Sequence, residues 1–225
     1  MNDLVIVEAM LRDRTQFLAE LNQGLNLGPK LRAMLRGSVA MLLLYGALLG
    51  VTHGLGQTVS SALKLPLLFL ATLLICAPVL YLINALFGAN QSLAQSLALV
   101  LMAITVTALL LLSFMPVTIF FITVTDHYQF FKLLNVCLFL IAGSGGALFL
   151  KQGMAAAGQP EQVARLIFYL WLAVYIFVGC QMAWTLRPFF GYPGAPFELV
   201  RQLGGNFYSD VFRSVSEILG FLIIR

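Results

Sequence analysis

The residues able to carry chemistry are few in this chain of 225, and their spacing argues against most kinds of it. His53 and His127 stand too far apart to begin a metal cluster. Cys76, Cys137 and Cys180 each fall inside an apolar run and lack the close pairing of metal or redox motifs, so they read as small core residues. Acids such as Asp126, Glu161 and Glu198 are scattered among connecting segments, and neither an HExxH nor a GxSxG pattern occurs. The run Ala142-Gly143-Ser144-Gly145-Gly146-Ala147 is glycine-rich, but it does not open a helix with a lysine placed after it, as a phosphate loop requires. No Asp, Glu, Lys or Arg falls in the middle of a predicted span, where ion or proton coupling needs a titratable group. The expectation is a protein that is not an enzyme and needs no cofactor or metal.

The densest mixture of aromatics, prolines, glycines and charge is residues 179–208. Pro188, Pro193 and Pro196 fix the backbone there, while Gly191 and Gly194 permit turns. Phe189, Phe190, Tyr192 and Phe197 suit covering of helix ends, with Trp184 at the membrane exit. Arg187 and Arg201 suit pairing with lipid phosphates, neighbouring acids or a partner's carboxylate. The segment reads as a rigid cap over the bundle or as a docking site for a partner.

The elements that position these residues follow from composition. The chain is 60% hydrophobic and 10% charged, with a mean hydropathy of +0.94; soluble domains are about a quarter charged. Continuous Leu-rich runs exclude a barrel and imply an all-α, polytopic transmembrane helical bundle. Five spans are expected at about residues 39–55, 65–87, 93–124, 133–150 and 165–184. Amphipathic interfacial helices flank them, one over residues 4–25 with Leu4, Val7, Leu11, Leu18 and Leu25 on one face, the other over 209–225 with Val211, Val215, Ile218 and Leu222. Gly28 and Pro29 are expected to break the first of these helices. The organisation is therefore an N-terminal segment 1–37, a bundle 38–187, and a cap with its terminal helix at 188–225.

Within the bundle, Gly46, Gly50 and Gly54 form a GxxxGxxxG row for close helix packing, and Gly143 and Gly146 offer a second small-residue patch. Pro78 and Pro116 are expected to kink their spans, with Tyr81 and Asn84 serving the polar groups freed near Pro78. A formal charge of +4 suits anionic headgroups, and the thirteen Lys and Arg are too dispersed for nucleic acid.

Two stretches, residues 64–88 and 179–208, resemble a family of uncharacterised bacterial polytopic membrane proteins. In that family a W-x-L-R-P-F-x-G-x-P-x-x-P-F-x-x-x-R segment recurs, here on Trp184, Leu186, Arg187, Pro188, Phe189, Gly191, Pro193, Pro196, Phe197 and Arg201. The five-span plan is also similar to that of Yip-type membrane trafficking proteins. The resemblance implies a fold and a bacterial inner membrane but brings no activity with it. Two expectations of function compete. The first is a non-enzymatic integral membrane subunit that anchors, scaffolds or assembles other membrane proteins or its own copies. The second is a channel or facilitator for a small solute, using the kinks. Arg12, Arg14 and Lys30 tip the positive-inside rule towards a cytoplasmic N-terminus.

Overall fold

Five helices are long and apolar enough to cross a membrane. The computed structural model describes residues 3–89, 91–124, 127–156, 160–190, 198–200 and 207–218. In chain order its helices are α1 (Asp3–Arg12), α2 (Arg14–Asn22), α3 (Leu27–Gly50), α4 (Leu55–Leu86), α5 (Leu93–Ser113), α6 (Met115–Val124), α7 (Tyr128–Ala155), α8 (Glu161–Leu186) and α9 (Phe207–Ile218). The spans are α3, α4, α5, α7 and α8. No strand occurs among the described residues.

Helix α5 is the centre, packed by α3, α4 and α7. It is apolar all round, which in sequence terms marks a buried helix. Of its apolar stretch 67% is buried inside the chain, including the consecutive residues Ala98, Leu99, Val100, Leu101 and Met102. Its start is fixed by a capping box: the Ser92 hydroxyl accepts from the Gln95 amide at 3.2 Å, and the Ser92 amide donates to Gln95 Oε1 at 2.7 Å. Its end is a break at Phe114. Pro116 lies in the first turn of α6, where a missing N–H is harmless.

Helices α3 and α4 form an antiparallel hairpin with the most extensive packing in the chain. A Cβ on Gly46 would lie 2.5 Å from the Ser61 carbonyl oxygen, and one on Gly50 would lie 2.5 Å from that of Gln57. Only glycine lets the two backbones come this near. Gly54 does not continue the row. It stands outside α3 with φ +96°, a left-handed value open to glycine, and turns the chain into α4. On α7, Gly146 packs on Ala103 and Thr107 of α5, whereas Gly143 has no atom within 4 Å of where its Cβ would sit. The expected packing role of Gly54 is therefore corrected, since it forms a turn, while Gly143 faces outward and packs on no helix of this chain among the described residues.

The N-terminal helices belong to the bundle's own packing. The break falls at residues 23–26, earlier than Gly28 and Pro29, both of which enter α3, and α3 runs unbroken through the boundary expected at 37. The buried stripe is Ile6, Met10, Phe17, Leu18 and Leu21, while Leu11 and Leu25 are exposed. Met10 and Leu21 are fully enclosed because α1 packs on α3 while α2 touches α5 and α7. Here tertiary contact selected a face about one residue round from the one read by periodicity. At the opposite end, α9 lies against α7 and α8. It turns Ser214 and Ser216 inward and leaves Tyr208, Phe212 and Val215 exposed as an apolar stripe. A Lys132–Asp210 ion pair at 2.9 Å ties it to α7. Leu222 lies outside the described residues.

Candidate functional site

The polar residues of greatest interest lie on one face of α4 before its apolar run begins. The segment between the first two spans reads as a polar loop, but it is the first three turns of α4. Helical geometry then places Gln57, Ser61 and Lys64 on one face, at i, i+4 and i+7. All three are buried, Lys64 at 6% exposure.

That face holds the chain as it leaves α8. Gln57 Nε2 donates to the Pro188 carbonyl at 3.0 Å and to Ser61 Oγ at 3.0 Å. Ser61 Oγ in turn donates to the Phe189 carbonyl at 2.6 Å, and Lys64 Nζ donates to the Pro188 carbonyl at 3.1 Å. Two successive carbonyls beyond the end of a helix have no helical partner, and at this depth they need donors from elsewhere. Lys64, Ser61 and Gln57 supply them. The Arg187–Pro188 peptide is cis.

The cap residues described here close round this clamp. Trp184 is buried, and the Arg187 guanidinium stacks over its ring at 3.4 Å from the centroid. Pro188 is buried; Phe189 and Phe190 pack on the core, Phe190 edge-on to Phe131 with centroids 5.3 Å apart. Tyr192, Phe197 and Arg201, with Gly191, Pro193, Gly194 and Pro196, lie outside the described residues. The donors of the clamp were not among the residues picked out in the sequence, although their helical spacing was visible there.

Two further polar knots join distant helices. The Tyr45 hydroxyl donates to Asn135 Oδ1 at 2.9 Å and lies 3.2 Å from Thr118 Oγ1, linking α3, α7 and α6 beside the break. Asn135 Nδ2 then donates to the Phe131 carbonyl at 2.9 Å. At the other end, Asn84 Nδ2 donates to Gln91 Oε1 at 2.9 Å, Gln91 Nε2 to Asn22 Oδ1 at 3.0 Å, and Asn22 Nδ2 to the Gly153 carbonyl at 3.0 Å. Asn84 thus serves the α4–α5 turn, and α4 continues as one helix through Pro66 and Pro78. Near that proline the indole of Trp171 donates to the Cys76 carbonyl at 2.8 Å. On α2, outside the spans, Glu20 Oε2 accepts from Lys30 Nζ at 2.6 Å. That hydrogen bond, another from Gln16 and the Lys30 charge hold the Glu20 carboxyl below its ordinary range.

Chemically, the clamp offers hydrogen-bond donors and the positive charge of Lys64, turned on two backbone carbonyls. Among the described residues no group of three or more His, Cys, Asp and Glu side chains is placed to hold a metal ion. No family model, curated protein or solved structure matches the chain. Of the resemblances drawn from the sequence, the plan of five apolar helices is what stands.

Proposed function

We propose that this integral membrane protein is a non-enzymatic subunit that assembles with a helix of another membrane protein through the outward face of α7. One observation carries the reading. Helix α7 spends one small-residue face, Ala142 and Gly146, on its own bundle, yet keeps Gly143 in open space beside exposed Leu140, Ile141 and Ser144. In lipid a glycine without internal contact costs backbone order and packing, unless another backbone comes to use the room. The neighbouring surface is also the least covered: 28% of the apolar stretch of α7 and 22% of that of α8 are buried within the chain.

The segmental resemblance to bacterial polytopic proteins favours an inner membrane. Arg12, Arg14, Lys30, Arg32, Arg36, Lys151 and Arg165 gather at the end carrying α1, which favours a cytoplasmic N-terminus. The deciding experiment is affinity purification in native-lipid discs followed by mass spectrometry, for the wild type, Gly143→Leu and Gly146→Leu. The wild type is expected to bring down a membrane protein in stoichiometric amount. Gly143→Leu should melt as the wild type does and lose that protein, whereas Gly146→Leu should damage the fold itself. Recovery of the same protein by Gly143→Leu, recovery of a second copy of this chain alone, or solute flux through liposomes holding only the purified protein would each overturn the proposal.

A further inference from the structure

Helices α3 and α7 both pack on α5, but α5 ends at Ser113. One residue later α6 continues between the same two neighbours, touching α3, α5 and α7. Thr118 is its one buried residue, while Val117, Ile119, Phe120 and Val124 are exposed. Side chains of α3 and α7 bridge the gap that α6 covers. The Tyr45 ring meets Phe139 edge-on with centroids 5.9 Å apart, and the Tyr45 hydroxyl donates to Asn135 Oδ1 at 2.9 Å. Thr118 Oγ1 lies 3.2 Å from that hydroxyl. The single inward side chain of α6 thus closes on a polar pair that is itself fully buried.

Little else holds α6 down. Its sequence, MPVTIFFITV, carries no charge. Moving such a helix from protein to lipid loses no hydrophobic free energy, because acyl chains are as apolar as the side chains it leaves. At the junction Phe114 belongs to neither helix, and Pro116 brings no N–H to bond across it. The latch itself has two settings. The Tyr45 proton is committed to Asn135, so the contact between the hydroxyls needs the proton of Thr118. That one proton has two acceptors at the same distance: the Tyr45 oxygen at 3.2 Å and the Phe114 carbonyl of its own chain segment at 3.2 Å. On the second acceptor Thr118 stays satisfied without α3, and Tyr45 keeps Asn135. We propose that α6 is a hinged lateral gate. It turns about Phe114, is latched by Thr118 on Tyr45, and opens the cleft between α3 and α7 to the bilayer when Thr118 bonds its own backbone instead.

Distances between paired spin labels in lipid discs test the gate. Cys137 and Cys180 are replaced by alanine, and the enclosed Cys76 is left in place. The working pair is Phe120→Cys on α6 with Leu44→Cys on α3, and the control pair is Leu44→Cys with Leu140→Cys on α7; all three positions are exposed. The latched protein is expected to give one main distance for the working pair. The opened arm adds a longer one, displaced by several ångströms because its ten residues span about 15 Å. Tyr45→Phe keeps the ring and removes the latch oxygen, and should raise the longer population about threefold. Thr118→Val removes the latch from the other helix and should act alike, so it decides alone where Tyr45→Phe fails to fold. The control pair should not change. A working pair unmoved by Thr118→Val overturns the gate. So does a control pair that broadens together with the working pair, since the hydroxyls would then hold the whole bundle and not one arm.

Discussion

Replacing Gly50 by alanine tests the claim that two glycines set the α3–α4 distance. The new methyl carbon would stand 2.5 Å from the Gln57 oxygen, 2.7 Å from its carbonyl carbon and 2.7 Å from Thr58 Cα. Comfortable carbon contacts need about 3.5 Å or more. All three neighbours are backbone atoms of a helix, so no rotamer change relieves the overlap, and the helices must part by about 1 Å. Parting strips contact from Leu49, Leu42 and Leu65, which are almost fully buried. Such overpacking costs about 1–3 kcal/mol, or on the order of 2–12 °C in melting for a chain of this size. Thermal melts in detergent would read it, with Gly143→Ala as control, since nothing lies within 4 Å there. The two variants melting alike would refute the argument that Gly50 is needed for close approach.

Trp171→Phe keeps most of the aromatic volume but removes the donor to the Cys76 carbonyl, and a loss of about 1 kcal/mol is expected by the same melts. Glu20 has a depressed folded-state pKa, so its contribution to stability is present above the ordinary carboxylate range and is lost as pH falls through the lower folded value. Melting of the wild type should therefore decline as pH falls through the acidic carboxylate range, and Glu20→Gln should flatten that decline while being less stable near neutrality. Reporter fusions at the two ends should report opposite sides of the membrane, because five spans separate α1 from α9.

Much of this architecture was legible from apolar run length alone, because a span must be about twenty apolar residues long whatever it packs against. The break beside Pro116 was legible for an equally local reason, the missing N–H. Where the reading failed, the cause was contact across the sequence. The start of α4 looked like a loop because Gln57, Ser60, Ser61 and Lys64 are polar, and the carbonyls of Pro188 and Phe189 give Gln57, Ser61 and Lys64 something to hold. The buried face of α1 and α2 likewise depends on where α3 stands beneath them. Gly54 matched a four-residue spacing that is meaningful only inside a helix, and the helix had already ended at Gly50. At the candidate site, Trp184, Arg187 and Pro188 drew notice for their types. Their partners on α4 could be found only by plotting Gln57, Ser61 and Lys64 on a helical wheel.

The clamp also has a consequence for the chain during its synthesis. Lys64 and Pro188 are 124 residues apart, so at about 5–20 residues per second the lysine waits about 6–25 s for its acceptor to be made. Through that interval the polar shoulder of α4 has no cover, and its ammonium must stay in water or among headgroups. A nascent chain stalled before α8 therefore displays a feature that the finished protein hides. Quality-control machinery that senses unshielded charge at the membrane face would have a physical mark to tell the one from the other.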